Sequence, residues 1–114
     1  MSQLSQSVSE LPALYSTLGD DPDLSGLVEL FVEEMPERID ALTRTFKDRQ
    51  IEELGCIAHQ LKGAAGSYGF DQITPLAAKL EADARGDASW ETITESLETL
   101  VDTCSRLRAG SPSS

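Results

Sequence analysis

The residues best suited to chemistry surround His59, the only histidine of the chain, in the stretch AHQLKGAAGSYG at 58–69. Lys62 follows His59 by three residues, which is about one turn of a helix. Neutral imidazole is a nucleophile near pH 7, and a lysine one turn away can neutralise part of the charge of an incoming phosphoryl group. These residue types and their spacing indicate phosphoryl transfer, with His59 as acceptor and Lys62 as its catalytic helper.

Three glycines accompany this histidine within the same predicted helix. At about 100° per residue, His59 lies roughly 135° from the middle of the helix's apolar stripe and is expected to face solvent. The same phase argument places Gly55, Gly63 and Gly66 on its outer face. Each glycine costs a helix about 0.8 to 1 kcal/mol relative to alanine, or roughly 2 to 3 kcal/mol for the three. We therefore expect these glycines to form a partner-binding surface that gives another protein access to the imidazole.

The elements that must position these residues are all helical, because apolar residues recur every three or four positions and strand signals are almost absent. The expected fold is an all-α, antiparallel four-helix bundle with a short additional N-terminal helix. Its expected helices are a short one marked by apolar residues from 11 to 18, a long one from about 24 to 46, and three more over 51–68, about 71–86 and about 89–107.

Helix boundaries follow from prolines, glycines and capping residues. Pro36 lies inside the long helix, so we expect a kink or a break there, and the apolar stripe continuing past it favours the kink. Gly69 is expected to end the third helix in a left-handed conformation. Asp87 or Ser89 can cap the last helix. We expect a single domain over 9–108, with disordered tails at 1–8 and 109–114.

Composition excludes several classes of function. The net charge of -11 would repel phosphate backbones and anionic lipids, so neither nucleic acid nor membrane is an expected partner. The N-terminal residues lack the features of a signal peptide and no apolar run is long enough to span a membrane, which predicts a cytoplasmic protein. Cys56 and Cys104 lie far apart and are expected to be ordinary reduced thiols.

Enzymatic machinery is also lacking in the sequence. No nucleotide-binding glycine loop or kinase signature is present, so we expect no autonomous kinase activity and no cofactor. A metal-binding helical bundle needs inward-facing Glu-x-x-His pairs, which one outward histidine cannot supply, so no metal site is expected. The phosphoryl donor, and any magnesium, must therefore come from a partner protein.

The run HQLKGAAGSYGF at 59–70, with Leu80 and Glu81 after it, resembles the motif of histidine phosphotransfer (HPt) domains of bacterial two-component phosphorelays. The resemblance extends over about residues 20–108. It implies that His59 is phosphorylated on Nε2 by a receiver-domain aspartate and passes the phosphoryl group to another. It also implies that Lys62 contacts the phosphoryl oxygens and that Gly63 leaves room for the receiver. The implied partners are receiver domains and possibly a hybrid histidine kinase, with a monomer as the expected state.

Two alternatives compete with this interpretation. The dimerisation domain of a histidine kinase would place an acidic residue after the histidine, where Gln60 stands, and would not end the motif with Gly63. An HPt-like binding module that scaffolds or inhibits a signalling partner is the remaining alternative, although the presence of His59 counts against it. Met1 and the polar tails favour a free-standing protein over a piece of a larger kinase.

Overall fold

Four helices make up most of residues 12–110, the part of the chain that this computed structural model describes. Two strands of two residues each flank them. In chain order the elements are β1 (Leu14–Tyr15), α1 (Ser25–Lys47), α2 (Ile51–Ser67), α3 (Ile73–Arg85), α4 (Trp90–Cys104) and β2 (Leu107–Arg108). The helical bundle predicted from the apolar periodicity is therefore present.

The core is built from the apolar stripes of all four helices. Fully or almost fully buried side chains recur along each helix at the spacing that the sequence predicts, and Phe70 joins them from the α2–α3 connection. The ring of Phe31 on α1 lies 5.6 Å from that of Phe70 and 5.2 Å from that of Tyr68. Burying each large apolar side chain contributes about 1.5 to 3 kcal/mol, so this shared core fixes the helices relative to one another.

Most of the predicted helix boundaries are confirmed. The helix α1 runs unbroken through Pro36, so of the two expected outcomes, a kink or a break, the break does not occur. Gly69 follows α2 with a φ of 80°, the left-handed conformation expected of it. Ser89 caps α4, since its hydroxyl accepts a hydrogen bond from the Thr92 N–H at 3.1 Å.

The predicted N-terminal helix is wrong for the described residues 12–18, and Leu11 lies outside them. Leu14 belongs instead to β1, which pairs in parallel with β2. The Leu14 N–H donates to the Arg106 carbonyl at 2.8 Å, and the Thr17 N–H donates to the Gly69 carbonyl at 3.0 Å. A helix this short is marginal by itself, so hydrogen bonds to distant segments decide the conformation.

The last helix also ends earlier than the sequence predicts. α4 stops at Cys104, and Leu107 lies in β2 rather than on a continuing helical stripe. Its side chain is nevertheless buried in the core, 3% exposed, which explains why its spacing fits the helical pattern. The prediction that Leu107 belongs to the core is therefore confirmed, and the prediction that it belongs to the last helix is wrong.

The expected tails fall largely beyond the described residues. The tail predicted over 1–8 and the part of the C-terminal tail from 111 onward lie outside them, and Ala109 and Gly110 follow β2 directly. None of the helices within 12–110 combines the length and the apolar character needed to cross a membrane.

Candidate functional site

His59 lies in the middle of α2 with its ring turned away from the core. Its side chain is 58% exposed, whereas the neighbouring Ala58 and the Leu61 two positions later are buried. The prediction that His59 faces solvent is therefore confirmed. Among residues 12–110, the ring is hydrogen-bonded only from the next helix, and more than half of the side chain is exposed.

The contact that orients this ring comes from Glu81 on α3. Its Oε2 lies 2.9 Å from Nδ1 of His59. A carboxylate has no proton to donate, so in this hydrogen bond Nδ1 carries the proton and donates it. In the neutral ring the other nitrogen, Nε2, then keeps its lone pair free. The Glu81 contact thus selects the tautomer in which Nε2 has a free lone pair.

Glu81 is itself held by two cations. Lys62 donates from Nζ to Oε1 at 2.9 Å, and Arg85 donates from a terminal guanidinium nitrogen to Oε2 at 2.6 Å. The carboxylate side chain is only 11% exposed, so it needs such partners to stay charged. Together with His59 these donors form a four-residue group, which we call the Glu81 network.

The charge of Glu81 is favoured by this network. The hydrogen bond from Lys62 is the largest cause that lowers the pKa of the Glu81 carboxyl below its ordinary value of 4.5. Burial opposes the shift, and the hydrogen bond from His59 adds to it. Glu81 is therefore ionised at neutral pH, which makes it an acceptor only and supports the tautomer of His59 described above.

Two of the three predicted glycines lie on the open side of α2. Gly63 is exposed, and a Cβ added there would meet no atom of the described residues within 4 Å. Gly66 is also exposed, and a Cβ there would meet only the Thr74 hydroxyl, at 3.6 Å. Both therefore leave free space one and two turns beyond His59, as the phase argument predicts.

The expectation for Gly55 is wrong in its placement. Gly55 is buried, and a Cβ there would lie 3.3 Å from both Cγ and Nε of Arg85 and 3.7 Å from Cβ of Ala84. It lies on the flank of α2 that packs against α3, so it does not belong to the exposed surface. The helical phase predicts where Gly55 lies relative to the apolar stripe of α2. It does not predict that α3 covers this flank of the helix.

Sequence reasoning assigned no chemical role to Glu81 and Arg85. Both belong to the Glu81 network, and a signal for them is present in the sequence. Glu81 follows Ala77 by one turn and stands beside Leu80, within a stripe of buried residues. A carboxylate in such a stripe requires a buried partner, and a basic residue four positions later is the first candidate.

The two cysteines are free thiols in separate environments. Cys56 is exposed, and Cys104 is buried in the core. Burial raises the pKa of the Cys104 thiol to about 12, so it behaves as a small apolar side chain. Within the described part of the chain, no three His, Cys, Asp or Glu side chains come together as metal ligands.

Comparison with known proteins identifies the family. The family model described as Hpt domain matches residues 26–110, which covers most of the chain and all four helices except the first residue of α1. Comparisons with curated proteins and with solved structures gave no match. The matched region contains the exposed histidine, the lysine one turn later and the carboxylate that orients the ring. The chain therefore belongs to the family of histidine phosphotransfer (Hpt) domains.

Proposed function

We propose that this protein relays a phosphoryl group between receiver-domain aspartates through His59 in a two-component phosphorelay. The observation that carries the proposal is an imidazole that is 58% exposed while its Nδ1 is bound by the buried Glu81. The proposed partners are receiver domains, with a hybrid histidine kinase as a further one. We place the protein in the bacterial cytoplasm, as a monomer whose four helices form an antiparallel bundle.

The reaction needs little covalent machinery from this chain. The lone pair on Nε2 of His59 attacks the phosphorus of an aspartyl phosphate, and a P–N bond forms. The P–O bond breaks, and the aspartate carboxylate leaves with the electron pair. Nδ1 keeps its proton throughout, so no separate base is required. Transfer to the second receiver reverses these steps, with a new aspartate oxygen attacking phosphorus and the ring recovering its lone pair.

Glu81 stabilises the charge that this attack creates. As Nε2 bonds to phosphorus, positive charge develops on the ring, and the Oε2 of Glu81 lies 2.9 Å from its Nδ1. A carboxylate fixed in place before the reaction stabilises that charge without having to reorganise. The same contact orients the ring, so the nucleophilic nitrogen points to the side from which a partner approaches.

Lys62 is placed to act on the phosphoryl oxygens. Its ammonium group has three N–H donors, one of which is used by Oε1 of Glu81 at 2.9 Å. The side chain is 34% exposed, so another donor can turn toward solvent and a docked phosphoryl group. Its charge then offsets part of the negative charge on the phosphoryl oxygens.

Access to His59 comes from the exposed surface formed by His59, Gly63 and Gly66, which we call the docking face. The two glycines present no side chain, and nothing in residues 12–110 lies within 4 Å of a Cβ placed at Gly63. A receiver domain can therefore bring its aspartyl phosphate up to Nε2. The receiver also supplies the magnesium that its own aspartyl phosphate chemistry needs, so no cofactor is assigned to this chain.

The test uses a panel of purified receiver domains loaded with radiolabelled phosphate from acetyl phosphate. Each is mixed with wild type, with His59→Gln and with the matched control Gln60→Ala, which changes the exposed neighbour of His59. We expect an acid-labile, alkali-stable label on wild type and on the control, and none on His59→Gln.

A parallel reaction with potassium phosphoramidate, a small phosphoryl donor, makes the test independent of the choice of receivers. Label that persists on His59→Gln would exclude His59 as the acceptor. A wild-type protein that neither donor labels would instead support the alternative of a non-catalytic binding module.

A further inference from the structure

The buried glycine of α2 has a specific neighbour. The side chain of Arg85 crosses from α3 over the backbone at Gly55, and a Cβ at this position would lie only 3.3 Å from its Cγ and Nε. Such a distance is shorter than ordinary carbon contacts, which lie at about 3.5 to 4.0 Å. The absence of a side chain at Gly55 therefore gives Arg85 its path across α2.

We propose that Arg85, seated on Gly55, is a positioning residue for phosphotransfer by His59. This inference rests on the function proposed above. The guanidinium donates to Oε2 of Glu81 at 2.6 Å, and the same oxygen accepts from Nδ1 of His59 at 2.9 Å. Arg85 thus acts on the imidazole through one shared oxygen atom and does not have to touch the phosphoryl group.

Lys62 and Arg85 bind different oxygens of the Glu81 carboxylate. Lys62 binds Oε1 and Arg85 binds Oε2, so both oxygens are held and rotation of the carboxylate about its terminal bond is opposed. With Arg85 removed, only Oε1 keeps a cationic partner, and Oε2 is free to turn away from His59. Arginine suits this task because charge-assisted hydrogen bonds to a carboxylate are short and directional.

Loss of this restraint has a chemical consequence at His59. When the bond from Nδ1 to Oε2 weakens, the neutral ring more often carries its proton on Nε2 instead. In that tautomer the nitrogen on the docking face has no free lone pair and cannot attack phosphorus. Arg85 therefore raises the fraction of the ring that is ready to react.

The experiment measures the tautomer of His59 in the unphosphorylated protein by ¹⁵N NMR of the ring. The chain has one histidine, so the ring signals need no assignment by mutation. Spectra are recorded at a pH where the ring is neutral, for wild type, Arg85→Gln, Arg85→Lys and Gly55→Ala. The matched control is Lys79→Gln, which removes a cation of the same helix that pairs with Asp83 and not with Glu81.

We expect Arg85→Gln to lower the fraction of the Nδ1–H tautomer and to slow phosphorylation by phosphoramidate. The expected slowing is on the order of 10-fold, the lower end of what loss of an outer hydrogen-bonding partner costs at metal-binding histidines. Arg85→Lys should keep part of the wild-type tautomer fraction and of the wild-type rate. Gly55→Ala should lower the tautomer fraction and the rate by an intermediate amount, because the added Cβ displaces Arg85. Lys79→Gln should change neither the tautomer fraction nor the rate. A wild-type tautomer fraction and rate in folded Arg85→Gln would overturn the proposal. If Arg85→Gln does not fold, unchanged values in Gly55→Ala overturn it.

These readouts separate the inference from the proposed function. The tautomer fraction and the phosphoramidate rate are measured without any receiver domain. If Arg85→Gln changes the tautomer while no receiver labels the wild type, the relay function fails and the positioning contact stands. If receivers label the wild type normally and the tautomer is the same in all variants, the relay stands and Arg85 has no positioning role.

Discussion

The substitution Gly63→Leu is expected to make the protein more stable and the relay slower. Gly63 is exposed within α2, and a Cβ added there meets nothing within 4 Å in the part of the chain that the structure describes. A leucine therefore causes no clash and removes the helix penalty of glycine, about 0.8 to 1 kcal/mol. For a domain of this size that corresponds to a rise in melting temperature of roughly 3 to 5 °C.

The effect on transfer has the opposite sign because the leucine side chain projects from the docking face. Excess volume in a tightly packed contact costs about 1 to 3 kcal/mol, and the cores of protein interfaces pack like protein interiors. Transfer from a phosphorylated receiver should therefore slow roughly 5- to 150-fold. Phosphorylation by phosphoramidate should stay unchanged, since this small donor can reach His59 without the open space above Gly63.

The assay compares wild type, Gly63→Leu and the matched control Gly26→Leu in both reactions, with melting temperatures from circular dichroism. Gly26 is also exposed and helical, and no described residue comes within 4 Å of an added Cβ, but it lies at the start of α1. We expect normal transfer in the control. Wild-type transfer from the receiver to Gly63→Leu would refute the argument that this glycine provides access.

Three further predictions concern single residues of the site and its support. Lys62→Ala should slow transfer by about 10-fold or more, because a donor that stabilises the phosphoryl charge is lost. The circular dichroism spectrum of the variant should be unchanged. A wild-type transfer rate would show that Lys62 has no role in the mechanism. Folding lowers the pKa of the Glu81 carboxyl below its ordinary value of 4.5. The ionised carboxylate therefore stabilises the protein fully at a pH above 4.5, and this stabilisation is lost as the pH falls through the pKa of the folded state. Urea denaturation of Glu81→Gln should therefore show a smaller loss of stability between about pH 5 and pH 3 than wild type, and an equal loss would contradict the Glu81 network. Gly69→Ala should lower the free energy of unfolding by at least about 1 kcal/mol, since φ is 80° and the new Cβ would lie 2.5 Å from the Ser16 hydroxyl oxygen; a wild-type urea midpoint would contradict it.

The four helices could be predicted because their signals are local. Apolar residues three or four positions apart define each stripe, and Gly69 and Ser89 mark ends that depend only on nearby backbone. The segment around Leu14 shows the same spacing, yet its N–H is bound by the Arg106 carbonyl, more than ninety positions along the chain. No local pattern contains that partner, so the predicted helix is replaced by a strand pair.

The candidate site was predictable to the same extent. The exposure of His59 follows from its phase relative to one apolar stripe, and this single-helix argument is confirmed. The burial of Gly55 and the contacts of Glu81 depend on how α3 lies against α2, which a phase argument on either helix alone does not contain. Features that depend on a single helix, such as the exposure of His59, could therefore be predicted from the sequence. Features that depend on the packing of two helices, such as the burial of Gly55, could be seen only in the structure.

The position of the phosphoryl group on the ring tests the central claim most directly. The phosphorylated protein, labelled with ¹⁵N and loaded from a receiver domain or from phosphoramidate, is examined for coupling between ³¹P and each ring nitrogen of His59. With Nδ1 bound to Glu81, we predict that phosphorus is bonded to Nε2 alone. Phosphorus bonded to Nδ1, or to any residue other than His59, would contradict the account.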